Sequence, residues 1–139
     1  MKQNKQRRRV APFTLIEVVV VIVILVTLAS VATPMYMNYI KKSKIATAKT
    51  QVKLIDDALQ GYKLDVGTYP SDLQGLVENI DQSEKWEGPY IKPKVPTDPW
   101  GGQYVYIFPG EHGEFDLLTY GGDGQEGGEG EYADINNWE

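Results

Sequence analysis

Residues 13–32 decide first what this chain can fold into. They read FTLIEVVVVIVILVTLASVA, twenty positions of which only Thr14, Glu17, Thr27 and Ser30 are polar. At about 1.5 Å per residue, a helix of that length rises about 30 Å, the thickness of a bilayer's hydrocarbon core. The run therefore predicts a transmembrane helix over residues 13–33. Glu17 stands against that background, because an ionisable side chain in lipid is costly enough that it usually marks a function. In hydrocarbon a lone carboxylate is driven to its neutral form unless a cation meets it.

Charge is unevenly placed along the 139 residues. Lys2, Lys5, Arg7, Arg8 and Arg9 all precede the apolar run, and from Phe13 onward nine basic residues face nineteen acidic ones. The basic flank belongs on the cytoplasmic side, which sends the remainder of the chain across the membrane. An acidic body repels phosphates, so nucleic acid is excluded as a partner. A secretory signal peptide has a shorter apolar region ending at a small-residue cleavage site, whereas this run continues into further helix. A plain signal anchor satisfies the hydropathy and leaves Glu17 without a role. No cysteine is present, which excludes disulfides and thiolate metal sites.

Beyond the span, Pro34 lacks an N–H and crowds the carbonyl of Ser30, so a kink is expected there. The helical pattern then resumes. Ile45, Ala48, Val52, Ile55, Leu59 and Tyr62 recur at spacings of three and four, an apolar stripe on one face. The expectation is one long helix over residues 13–64, its second part, 34–64, an amphipathic continuation of the membrane span.

Residues 65–139 read as a small separate domain. Gly67, Pro70 and Ser71 mark a turn, with Ser71 placed to cap a short helix beginning near Asp72. Between Trp86 and Gly102 the chain carries Pro89, Pro93, Pro96 and Pro99, which predicts an extended path with turns; Trp86 and Trp100 read as packing residues. YVYIF (104–108) and EFDLLTY (114–120) flank PGEHG and predict an antiparallel hairpin. A small sheet packed on the helix stripe gives an α+β fold.

GGDGQEGGEGEYAD, residues 121–134, admits several readings. GDGQEG satisfies GxGxxG, but no helix follows to receive a pyrophosphate, and the surroundings are acidic. GGEGEYADI approximates one calcium-binding nonapeptide, yet that architecture needs stacked repeats. A single calcium loop suits the composition better: from Pro109 onward there are nine acidic residues and no Lys or Arg, with glycines that let carbonyls turn inward. A solvated acidic tail satisfies the same composition. His112, the single histidine, reads as a solvated residue of the hairpin loop. With one His, no Cys and no arranged nucleophile, no catalytic constellation is present, and the chain reads as a non-enzyme.

RRRVAPFTLIE followed by an apolar run and Pro34 resembles the N-terminus of type IV pilin-like proteins. LDVGTYPSDLQGL (64–76), VPTDPWGGQYVY (95–106) and PGEHGEFDLLTYGGDGQEGGEGEYADINNW (109–138) resemble, more narrowly, the major pseudopilins of the type II secretion system. That resemblance implies a leader of residues 1–12, removed by a prepilin peptidase that cuts between Pro12 and Phe13 and methylates the new amine. Where the family carries Gly before the cut this chain has Pro12, which presents a different backbone to the peptidase. The resemblance also implies that Glu17 pairs with the amine of Phe13, in the same chain or a neighbouring one, during assembly into a homopolymeric filament. The other implied partners are minor pseudopilins and an inner-membrane assembly platform. It implies a single-pass protein of the bacterial inner membrane, its C-terminal domain in the periplasm, whose filament drives export across the outer membrane. Finally it implies one calcium ion, with Tyr120 supplying a carbonyl, Asp123 a carboxylate, and Glu129, Glu131 and Asp134 as further candidates, since some members place an aspartate where this chain has Gly130. Two alternatives remain open: a type IV surface pilin, whose frequent C-terminal disulfide loop is absent here, and a membrane-anchored calcium-dependent binding domain acting as a monomer.

Overall fold

A computed structural model describes residues 12–138. The basic flank and the leader, apart from Pro12, lie outside the described residues. The chain divides into two units, meeting between Asn38 and Tyr39. One helix, α1, runs Leu15–Val66.

In the first unit the helix begins with a reciprocal cap. The Thr14 N–H donates to Glu17 Oε2 at 2.9 Å, and the Glu17 N–H donates to Thr14 Oγ1 at 3.3 Å. This is the capping box of a Thr-x-x-Glu sequence, which satisfies two of the donors a helix start leaves free. The other hydroxyls of the span are also accounted for: Thr27 donates to Val23 O, Ser30 to Thr27 O and Thr33 to Ala29 O, at 2.7 to 2.8 Å. Each of these hydroxyls is thereby satisfied within the helix, as a lipid environment requires. The helix runs through Pro34 without interruption.

In the second unit the predicted stripe is the core. Ala48, Val52, Ile55, Leu59 and Tyr62 are all buried, and Ile45 packs against them. The helix ends where Gly67, at φ +92°, donates its N–H to the Lys63 carbonyl at 2.8 Å, a left-handed cap suited to glycine. Three short strands face this stripe: β1 (Val105–Ile107), β2 (Asp116–Thr119) and β3 (Ile135–Asn136), all antiparallel in the order β1-β2-β3. Val105 pairs with Leu118, and Thr119 with Ile135. The predicted hairpin is present with each strand trimmed at its ends. Every residue of β2 is buried, because it is the central strand and is covered on both faces.

Two local expectations are corrected. The short helix is a 3-10 turn over Leu73–Leu76 capped by Asp72, whose carboxylate accepts from the Gln74 N–H at 2.8 Å. Ser71 is engaged elsewhere, its hydroxyl donating to Asp81 Oδ1 at 2.6 Å. The prolines keep residues 86–102 out of regular structure, and both tryptophans pack on the core as expected; Trp86 Nε1 donates to the Gly75 carbonyl at 2.9 Å.

Tyrosines close the edges of this core, ring inward and hydroxyl bonded. Tyr62 donates to Asp81 at 3.0 Å, Tyr90 to Asp65 at 2.7 Å and Tyr104 to Gln51 at 2.7 Å. Burial, reinforced by the Asp81 carboxylate, pushes the Tyr62 hydroxyl up to about 12.

Candidate functional site

Two places in the chain carry chemistry that packing alone does not use: the head of the apolar helix and the glycine-rich loop near the C-terminus.

At the helix head, Phe13 and the apolar residues from Leu15 to Val31 are exposed around the whole circumference, Val19 least at 44% and Phe13 most at 85%. Glu17 turns back toward the helix start and reaches the Thr14 amide, one residue from the Phe13 nitrogen. Pro12 lies before the first helical turn. Among the described residues no Lys or Arg side chain meets Glu17. The sequence reading missed Thr14, although TLIE is a legible capping signature.

The C-terminal loop is built by the sheet. Because β2 and β3 are antiparallel with Thr119 opposite Ile135, the next register position sets Tyr120 opposite Asp134 at the neck of the loop. The neck is drawn tight: the Gly122 N–H donates to the Glu131 carbonyl at 2.8 Å. A Cβ on Gly121 would stand 2.8 Å from the Ala133 carbonyl oxygen and 2.9 Å from that of Glu131, so only glycine permits this approach. Asp123 follows, its Oδ1 accepting from the Gln125 N–H at 3.2 Å. Asp134 accepts from the Gly127 N–H through Oδ2 at 2.9 Å, while its Oδ1 is buried and has no hydrogen-bond partner. An orphaned carboxylate oxygen inside a structure calls for a donor or a cation.

Among the candidate ligands, Glu129 is exposed, and Glu131 is turned away to pair with Lys41 of α1 at 3.1 Å. Among the described residues no three carboxylate or imidazole side chains converge as a preformed metal cluster. What the loop does offer is oxygen alone: the Tyr120 carbonyl and the Asp134 carboxylate, set opposite one another by the register, and the Asp123 carboxylate three residues beyond Tyr120. That donor chemistry fits calcium, which draws on carbonyls and water as readily as on carboxylates.

His112 corrects the expectation of a purely solvated residue. Its side chain is half exposed, yet the ring stacks on Trp138 at 4.2 Å between centroids, and Nδ1 lies 3.0 Å from Asp116 Oδ2. Asp116 is buried and also accepts the N–H groups of Glu111 and His112. Burial acts to raise its carboxyl, but the His112 ring and the two backbone N–H groups outweigh burial and hold it below the usual carboxylate range. A group depressed in the folded state contributes stability above its unfolded pKa, about 3.9, and loses it as pH falls through the folded value. Acid titration of the folded domain followed by near-ultraviolet circular dichroism is therefore expected to show destabilisation below about pH 4. Asp116→Asn should flatten that limb, and an unchanged acid profile in the variant would exclude Asp116 as its source.

An apolar helix capped by its own acid, continuing into a stripe that packs a small antiparallel sheet, defines a pilin-like protein with a membrane-anchoring N-terminus. Residues 7–33 match the prokaryotic N-terminal methylation motif, and residues 35–138 match the family described as type II secretion system (T2SS), protein G. The chain belongs to the type II secretion system protein G family. It is 44% identical to the type II secretion system core protein G of Pseudomonas aeruginosa, covering 96% of this chain and 99% of that protein. Against the protein of the same description from Vibrio cholerae it is also 44% identical, covering 96% and 95%. The crystal structure of the major pseudopilin from the type 2 secretion system of enterohaemorrhagic Escherichia coli aligns with a TM-score of 0.59 at 28% identity, over 73% of this chain and 92% of that one. The family is one of structural subunits, and this chain is not an enzyme.

Proposed function

We propose that this protein is the major structural subunit of a type II secretion pseudopilus, built into a filament through its N-terminal helix. The observation that carries the reading is the helix from Leu15 to Val31, apolar on every side and exposed on every side. A helix of that kind requires lipid or other apolar helices around it. A filament whose subunits leave the membrane supplies first the one and then the other.

In this reading residues 13–33 span the bacterial inner membrane, and residues 65–139 stand in the periplasm. Prepilin peptidase cuts between Pro12 and Phe13 and leaves a free amine on Phe13. Glu17, which already points at the helix start, pairs with that amine or with its counterpart on a neighbouring subunit. Apolar helices packed side by side can slide along one another, and one buried ion pair fixes their register. Minor pseudopilins and an inner-membrane platform complete the assembly, which pushes substrates across the outer membrane.

The C-terminal loop holds one calcium ion through the Tyr120 carbonyl, Asp123 and Asp134, with Glu129 free to approach from solvent. Glu131 serves instead as the anchor to Lys41. When bound, the ion neutralises the crowded carboxylates and ties the loop's two strands together.

Mass spectrometry of the protein extracted from membranes, combined with crosslinking in intact cells, tests the assembly. The expected result is a chain beginning at N-methylated Phe13 and a ladder of multimers. An intact leader with a monomer band alone would overturn the filament reading and leave a monomeric anchored domain in its place.

A further inference from the structure

Asp98 lies in the segment whose prolines dominated the sequence reading, and its side chain is spent in two directions. Its Oδ1 accepts from the Trp100 N–H at 3.0 Å and the Gly102 N–H at 2.7 Å, closing the DPWGG turn; the Asp98 N–H donates in turn to the Gly102 carbonyl at 2.9 Å. A residue that served only this turn would leave Oδ2 to water. Instead Oδ2 accepts the hydroxyl of Thr119, twenty-one positions away, and both residues are buried, Asp98 to 6% and Thr119 to 1% exposure.

Thr119 is the last residue of β2, paired with Ile135 across the neck from which Tyr120 and Asp134 depart. The same turn makes a second contact with the loop. Trp100 lies against Gly122, so closely that a Cβ there would stand 3.0 Å from its indole Nε1. Asp98 therefore holds the first strand of the loop by two routes: the Thr119 hydroxyl behind Tyr120, and the Trp100 indole beside Gly122, one residue before Asp123.

We propose that Asp98 is a positioning residue for the calcium loop, acting through Thr119 and Trp100 to hold the Tyr120 carbonyl and the Asp123 carboxylate in place before the ion arrives. The inference rests on the calcium reading of residues 120–134. Outer partners of this kind orient ligands without touching the metal, and their loss weakens metal affinity typically by about 10–100-fold.

The test is calorimetric titration of calcium alone into the full-length protein in detergent micelles, beside thermal midpoints measured in chelator. Thr119→Val keeps the side-chain volume and removes the hydroxyl that Asp98 receives; Thr119→Ser keeps the hydroxyl. Thr119→Val is expected to bind calcium at least about 10-fold more weakly, and Thr119→Ser to bind like the parent. Asp98→Asn should resemble Thr119→Val, and should it fail to fold, the Thr119 pair decides alone. A merely structural role would lower the chelator midpoint of Thr119→Val and leave its calcium affinity unchanged, which overturns the proposal. Equal weakening in Thr119→Ser also overturns it, since the hydroxyl would then be irrelevant. If the parent protein takes up no calcium, the reading of the loop itself falls, an outcome distinct from a parent that binds and a variant that binds equally well.

Discussion

Glu17→Ala is expected to leave the protein in the membrane and abolish the multimer ladder. Removing an acid from an apolar span lowers the cost of insertion, so the loss cannot be charged to failed membrane entry. Nor can it be charged to an unfolded helix. Thr14 retains its hydroxyl bond to the first turn, and a helix that continues from Leu15 to Val66 does not depend on one cap. What disappears is the one ionisable side chain of residues 13–32 in an otherwise slippery apolar surface. Glu17→Gln separates its two possible roles, because a glutamine preserves the capping-box hydrogen bond to the Thr14 N–H while carrying no charge. If ion pairing with the Phe13 amine sets register, Glu17→Gln should fail as Glu17→Ala does. Normal ladders from Glu17→Gln would assign assembly to the cap rather than to the charge, and normal ladders from Glu17→Ala would remove Glu17 from assembly altogether. The readout is the same crosslinking in intact cells, with membrane fractionation as the control for insertion.

Much of this architecture was legible because it is local. The spacing of Ile45, Ala48, Val52, Ile55, Leu59 and Tyr62 follows directly from helical periodicity, and the expected helix over 13–64 differs from Leu15–Val66 by two residues at each end. The hairpin was legible for a similar reason: YVYIF and EFDLLTY are β-branched and aromatic runs around a turn. β3 was not legible, since Ile135–Asn136 is two residues long and owes its extended state to pairing with Leu118 and Thr119, not to its own propensity. The cap at Asp72 was missed by one position because two good capping residues are adjacent and a distant one, Asp81, takes Ser71. Asp98 and His112 were missed for one reason: Asp98 works on Thr119 and His112 stacks on Trp138, both across the fold, and no spacing along the chain announces such pairs. Asp116 bonds locally, to Glu111 and His112, but its burial comes from its place in the central strand. In the proposed calcium loop, composition indicated oxygen ligands, while only the register of β2 against β3 sets Tyr120 opposite Asp134 at the neck. It also separates Glu131, held by Lys41, from Asp134, whose Oδ1 is left without a partner.

That unpartnered oxygen leads to the second large effect. Removing calcium with a chelator is expected to lower the thermal midpoint of the domain by on the order of 10–20 °C. An ion that binds only the folded state stabilises it by RT ln(1 + [L]/Kd), about 2.7 kcal/mol at a hundredfold excess over Kd. A midpoint shift of about 4–8 °C per kcal/mol applies to a domain of about 100 residues, the size of the unit from Tyr39 to Glu139. The structural cause is specific. Without the ion, Asp123 and Glu129 stand in a glycine-rich stretch that is exposed from Gly122 to Gly130 and holds little apolar surface, and Asp134, just beyond it, keeps a buried carboxylate oxygen without a partner. The loop's remaining ties are then the Gly122 to Glu131 backbone bond, the Gly127 N–H to Asp134 bond, the packing of Trp100 on Gly122 and the partly exposed Lys41–Glu131 pair, the last of which by itself contributes less than about 1 kcal/mol. Asp123→Ala should melt at the chelator midpoint whether or not calcium is present, whereas Glu131→Gln should keep nearly the whole calcium increment because its carboxylate belongs to Lys41. Equal midpoints for the parent protein in calcium and in chelator would show that these oxygens hold no ion. A calcium increment lost in Glu131→Gln and kept in Asp123→Ala would place the ion at the other end of the neck.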